Sequence, residues 1–205
     1  WSEISSADRD LDTVLNETRT ALKLAGEKAP YVLFPHSLAG LEAIYWANRY
    51  PEEIESVIGL DPLVPGVIEK SEEGPSLSPV ITFLTRTGLV RNQPEVFDNN
   101  FEAVKKGILT ESEAAIARTI FYRRVQTKNM WEEVEMVEKN SQTVAKQRKS
   151  KVPFYAFISD ENEKEYWQDS INSYAKATNG QTFILDGSHY IHLDQPELIT
   201  EKSKE

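Results

Sequence analysis

Short apolar runs that alternate with amphipathic stretches constrain this chain more than any other feature. Tyr31–Phe34 and Ser56–Leu60 are too short for buried helices and read as strands. Between them, Leu38–Tyr50 keeps a helical spacing until Pro51 closes it. The same alternation returns late in the chain. Pro153–Ser159 and Gln181–Leu185 read as strands on either side of a helix over 163–177. Ahead of the first strand, apolar residues at 11, 14, 15, 22 and 25, with Thr18 between, predict a helix over 8–25 that Gly26 stops. Buried strands joined through helices imply βαβ units and a parallel sheet, so the predicted fold class is α/β.

The middle of the chain breaks this pattern. From Pro62 to Lys151 strand signals nearly vanish and helical ones take over. Thr110-Glu111-Ser112-Glu113 is a capping box that opens a helix over 114–125. A second helix is predicted over 130–148, with Trp131, Val134, Val137 and Val144 on or near its inner face. Pro62, Pro65 and Gly66 mark the entry to this region, and Val152-Pro153 marks the exit. The expected organisation is therefore core sheet over 1–61, a helical insertion over 62–151, and core sheet again over 152–205. Phe121, Tyr122, Met130 and Trp131 in the insertion either line a pocket or pack its helices together.

Composition removes several function classes. A chain of 205 residues with 40% apolar and 27% charged residues builds one sizeable core. Its formal charge of −10 argues against a nucleic-acid partner, which needs clustered Lys and Arg. The one basic cluster, Lys146–Lys151, reads as a solvated helix end. With no cysteine, thiol chemistry and Cys-ligated zinc are excluded. No run approaches the roughly 18 apolar residues of a membrane span. Neither a GxGxxG nor a P-loop is present, and His189-x-x-His192 lacks partners for a metal site, so no cofactor or metal is expected. The glutamates of 132–138 read as a solvated helix face.

The chemistry-bearing residues lie at strand ends. Ser37 sits where the strand Tyr31–Phe34 meets the helix that follows. A serine there either caps the helix or is held out by a sharp turn as a nucleophile. A nucleophile turn crowds its flanks, so the residues two before, two after and three after must be small. These are Pro35, Ala39 and Gly40; the two after the serine fit, and the proline stands where glycine is more usual. In such a turn the backbone N–H of Leu38, at a helix N-terminus, is aimed at a developing oxyanion. Of the three histidines, His189 follows the last strand on a Gly-containing loop, at the carboxyl end of the sheet like Ser37. His36 is expected to point inward and support the turn, and His192 ranks below His189 as a base.

Together these segments resemble the α/β-hydrolase fold superfamily, whose triad runs nucleophile, acid, histidine. "PHSLAGLEAIYWANRYPEEIESVIGLDP" is similar to the nucleophile elbow, its helix and the next strand. "VPFYAFISDEN" is similar to the strand that delivers the acid, and "GSHYIHLDQPE" to the terminal histidine loop. The resemblance spans nearly the whole chain and implies a parallel-sheet α/β-hydrolase fold with a helical lid over 62–151. It implies a serine hydrolase acting on an ester or related acyl substrate, with Ser37 as nucleophile, His189 as base and Leu38 N–H in the oxyanion hole. The acid is Asp160, the nearest aspartate past its strand, or alternatively Asp61, 24 residues after Ser37. Asn162 holds the commonest offset. Aminopeptidase and thioesterase activities fall within the same class, and a hydrolase-like binding protein without turnover is the competing reading. Trp1-Ser2 stands where the family has the turn after its fourth strand, so the first strands, and with them the second oxyanion donor, are expected to precede this sequence. Similar bacterial proteins occur in the cytoplasm and anchored at the cell surface, and both places stay open.

Overall fold

A computed structural model describes residues 4–71, 94–125, 127–161 and 165–204. Trp1, Ser2, Asn162 and residues 72–93 of the expected insertion lie outside them. The chain divides into two compact units, one of Asp10–Gly74 with Val137–Glu205, the other of Trp1–Arg9 with Pro75–Met136.

The larger unit holds a four-stranded sheet of β1 (Tyr31–Leu33), β2 (Ile54–Leu60), β3 (Phe154–Ser159) and β4 (Thr182–Leu185), in that spatial order. Every neighbouring pair is parallel. Its helices are α1 (Leu11–Ala25), α2 (Ala39–Arg49), α3 (Pro65–Lys70), α8 (Glu165–Ala177), α9 (Ile191–Asp194) and α10 (Pro196–Lys202). The central strands β2 and β3 are covered on both faces, which is why they read as continuous apolar runs, whereas the outer strands β1 and β4 expose Val32 and Ile184. On one face Val57, Phe154, Ala156 and Ile158 pack in a core with Leu41 and Ile44 of α2 and Ile171 of α8. On the other, Ile58, Leu60 and Phe157 pack with Ile191 of α9 and Ile199 of α10. Successive residues Phe157 and Ile158 thus serve opposite faces, both at 1% exposure or less.

The element boundaries follow local chemistry. α1 starts at Leu11, three residues later than its periodicity predicts, because the Asp10 side chain caps it by accepting the Thr13 N–H at 2.8 Å. Gly26 ends it in the left-handed conformation, at φ 82°. β2 begins at Ile54, two residues before the predicted strand, directly after a 3₁₀ turn over Pro51–Glu53. Past β4 the chain closes in two short helices, α9 and α10, with Pro196 starting the second.

The other helices are α4 (Pro94–Asn100), α5 (Glu102–Lys105), α6 (Glu111–Arg124) and α7 (Lys128–Ala145). The Thr110 capping box forms as predicted, with Glu113 Oε2 accepting the Thr110 N–H at 2.8 Å. Phe97, fully buried, centres the small unit's core, with its ring 5.0 Å from Phe101 and 5.4 Å from Phe121. Phe121 and Tyr122 therefore pack these helices together. α7 is shared in sequence between the units. Its Val137 and Val144 join the core of the sheet unit, where Ser141 Oγ donates to the Pro65 carbonyl at 3.3 Å. No described helix is long and apolar enough to cross a membrane.

Phe157 is 1% exposed and stacks on Phe183 with ring centres 5.2 Å apart. Truncating it leaves a cavity under the centre of the sheet. Phe157→Ala is expected to cost about 3–5 kcal/mol, read as a lower urea midpoint with an unchanged slope.

Candidate active site

The site is built where β1 and β2 end. Pairing between these strands continues past Leu33: Leu60 N–H donates to the Pro35 carbonyl at 2.8 Å, and Ser37 N–H donates to the Leu60 carbonyl at 3.3 Å. His36 opposes Leu60 in a parallel bridge. Ser37 then turns into the left-handed region, at φ 53°. A non-glycine residue pays a strain cost there, and its carbonyl is tied down by two donors. Gly40 N–H reaches it at 2.9 Å and Leu63 N–H at 2.8 Å.

The helix that follows tests the capping reading of this serine. The N-cap of α2 is Leu38, and no side chain hydrogen-bonds to the helix start. Ser37 is therefore not the cap, and its strained conformation needs another reason. The expected crowding is present as well. A Cβ on Gly40 would lie 2.4 Å from the Leu63 carbonyl oxygen and 2.9 Å from the Leu63 nitrogen, so the backbone of the next segment packs directly against this glycine. Leu38 stands at the N-terminus of α2, where a helix leaves its first N–H groups without partners inside the helix.

Asp61 is the first residue past β2. It is fully buried, takes a left-handed φ of 46°, and donates its N–H to the Phe157 carbonyl of β3 at 2.7 Å. Its Oδ2 lies 2.7 Å from His189 Nδ1. A carboxylate can only accept, so His189 donates its Nδ1–H to Asp61 and Nε2 is the ring nitrogen left to face other groups. Oδ1 accepts the Trp167 indole N–H at 2.9 Å and the Ser159 N–H at 3.4 Å.

Of the two candidate acids, Asp61 meets the His189 imidazole and Asp160, the first choice from the sequence, does not. Asp160 is exposed, and its carboxylate accepts the Gly187 N–H at 3.0 Å rather than meeting the imidazole. Its position at the end of β3, next to β4, directs it to the loop backbone. The left-handed turn at Asp61 carries the other carboxylate under the ring.

That loop is pinned along its length. Besides the Asp160 contact, Ser159 Oγ donates to the Gly187 carbonyl, and Asp194 Oδ2 accepts from Ser188 N–H at 2.8 Å and Ser188 Oγ at 2.7 Å. His36, expected to support the serine's turn, reaches across instead, with Nε2 2.9 Å from the His189 carbonyl oxygen. Its N–H donates there, and its ring stands 4.7 Å from those of both His189 and His192. Sequence reasoning singled out Ser37, His189 and both aspartates as candidates but did not single out Trp167, which meets Asp61. A single tryptophan on an amphipathic helix has no local signal that separates a donor from a core residue.

Burial lowers the pKa of His36, and it lowers that of His192 with help from the nearby His189. Both rings are thus harder to protonate in the folded protein than in the unfolded chain. Below about pH 6.5 the unfolded chain binds more protons than the folded one, so stability rises with pH through that window. It is lost as the pH falls through the depressed folded values. The melting temperature is expected to drop on acidification below about pH 6.5, and His36→Gln, which keeps a donor but cannot titrate, should flatten that slope.

No protein-family model matches the chain. It is 33% identical to the uncharacterized protein YbdG of Bacillus subtilis (strain 168) over a 216-residue alignment, which covers 100% of this chain and 66% of that relative. The chain thus spans less than two thirds of the relative's length. Among solved structures it is similar to the epoxide hydrolase CorEH, at 14% identity and a TM-score of 0.64, covering 98% of this chain and 76% of that one. It is also similar to MGS-M2, an alpha/beta hydrolase enzyme from a Medee basin deep-sea metagenome library, at 12% identity and a TM-score of 0.60, covering 100% of this chain and 75% of that one.

Proposed function

Because the chain has the α/β-hydrolase fold, we propose that it is a serine hydrolase cleaving an ester or related acyl bond. The observation that carries this reading is the 2.7 Å contact between His189 Nδ1 and the fully buried Asp61. A carboxylate sequestered under one imidazole nitrogen fixes the tautomer whose other nitrogen is a base, and it stabilises the imidazolium that forms. Ser37, strained and not engaged in capping, supplies the complementary nucleophile.

In the proposed reaction His189 Nε2 takes the Ser37 Oγ proton as that oxygen attacks the acyl carbon. The carbonyl oxygen becomes an oxyanion, stabilised by the Leu38 N–H at the start of α2. Collapse expels the leaving group, which receives the proton from His189, and leaves an ester on Ser37. Water then attacks this acyl-enzyme, again giving up a proton to His189, and releases the acid with Ser37 restored. The serine at the turn favours acyl chemistry over the direct opening of an epoxide by a carboxylate nucleophile. The helices inserted between β2 and β3 are the part of the chain proposed as the lid.

A fluorophosphonate probe tests this reading, because it reacts only with an activated serine. Labelling of the protein is expected at Ser37 and should vanish in Ser37→Ala and His189→Ala. A well-folded protein that stays unlabelled would overturn catalysis in favour of a binding role. The same assay separates the aspartates. Asp61→Asn should slow labelling by about 10⁴ by favouring the wrong imidazole tautomer, whereas Asp160→Asn, which loosens only the loop, should slow it far less.

A further inference from the structure

The two oxygens of the Asp61 carboxylate have different partners. Oδ2 faces His189, while Oδ1 takes the Trp167 indole N–H at 2.9 Å and, at the long limit of a hydrogen bond, the Ser159 N–H at 3.4 Å. Trp167 comes from the first turn of α8, and its indole also stands edge-on to the His189 ring, with centres 6.0 Å apart and planes at 82°. Asp61 is fully buried, so its charge depends on these donors rather than on water. Among the described residues, the other titratable groups against His189 are His36, Tyr190 and His192. Burial disfavours the charged form of both neighbouring histidines.

We propose that Trp167 is a positioning residue for the hydrolase reaction, its indole N–H pinning Oδ1 of Asp61 so that Oδ2 meets His189. The proposal rests on the roles given above to Ser37, His189 and Asp61. A hydrogen bond to a charged acceptor draws negative charge towards the donor. The indole N–H therefore tempers the pull of Asp61 on the imidazole proton as well as fixing the carboxylate's angle. Without it the charge concentrates on the oxygen facing His189, the imidazolium is favoured, and the ring loses its base form at neutral pH.

The test replaces Trp167 in two ways in the 205-residue chain. One variant is Trp167→Phe. The other carries 3-benzothienylalanine at position 167, which keeps the bicyclic shape and deletes only the N–H. Two quantities are read: the titration midpoint of His189 by NMR of its imidazole resonances, and the rate of fluorophosphonate labelling as a function of pH. Both variants are expected to raise the midpoint by about one pH unit, with labelling about tenfold slower on the acid side and recovering at alkaline pH. Should Trp167→Phe fail to fold, the benzothienyl protein decides. A folded benzothienyl protein whose His189 midpoint equals the wild-type value would overturn the proposal, because packing alone would then account for Trp167. A raised midpoint in a protein whose wild type is never labelled would support the link from Trp167 through Asp61 to His189 while overturning the serine reading.

Discussion

Parallel pairing carried one step beyond the end of β1 is the constraint on which the rest of the site depends. The Leu60 N–H bond to Pro35 and the Ser37 N–H bond to Leu60 lock the ends of β1 and β2 together. Both chains then leave the sheet through left-handed residues, Ser37 and Asp61. Leu63 N–H returns to the Ser37 carbonyl, so the segment after Asp61 is fastened to the turn that holds the serine. Two residues 24 positions apart are in this way held by backbone bonds, which do not depend on side-chain identity. Gly40 makes the arrangement possible, since any side chain there would strike the Leu63 backbone.

The second constraint is a buried negative charge. An isolated carboxylate in a protein interior is strongly disfavoured unless donors surround it. Asp61 has an indole N–H, a backbone N–H and an imidazole, but no permanent cation among these partners. This makes the placement of His189 a condition of the fold and not only of chemistry. The many clamps on residues 187–189, from Asp160, Ser159, Asp194 and His36, then have a common consequence. They keep the imidazole over the carboxylate without asking the side-chain pair to bear the loop's conformational entropy alone.

Much of the fold was legible because its signals are local. The continuous apolar runs of β2 and β3 announce strands covered on both sides, and the Thr110 box and Gly26 announce helix ends through their own side-chain and backbone needs. The start of α1 was less legible, because periodicity alone does not show that Asp10 takes the Thr13 N–H. In the site, Ser37 and His189 were legible from small flanking residues and from a loop after a terminal strand. The choice between Asp61 and Asp160 was not. Both follow central strands, and what separates them is a left-handed backbone angle at Asp61 and the exposure of Asp160 beside the Gly187 N–H. Sequence offset carries neither.

The strain at Ser37 and Asp61 has a physical logic that the capping alternative lacks. A left-handed conformation costs a non-glycine residue on the order of 1–3 kcal/mol, and a glycine at either position would avoid it. A helix cap gives no reason to accept that cost, since a cap residue has extended backbone angles and uses its side chain on the helix N–H groups. α2 begins with neither feature. What the strained angles do accomplish is to turn two polar side chains out of strands whose own residues are committed to the two cores. Along β2, alternate side chains serve opposite faces, so a residue in register at position 61 would be buried against apolar neighbours. Breaking the register there lets the carboxylate find Trp167, Ser159 and His189 instead. The same local cost that weakens the fold at these two positions gives the site its polar groups.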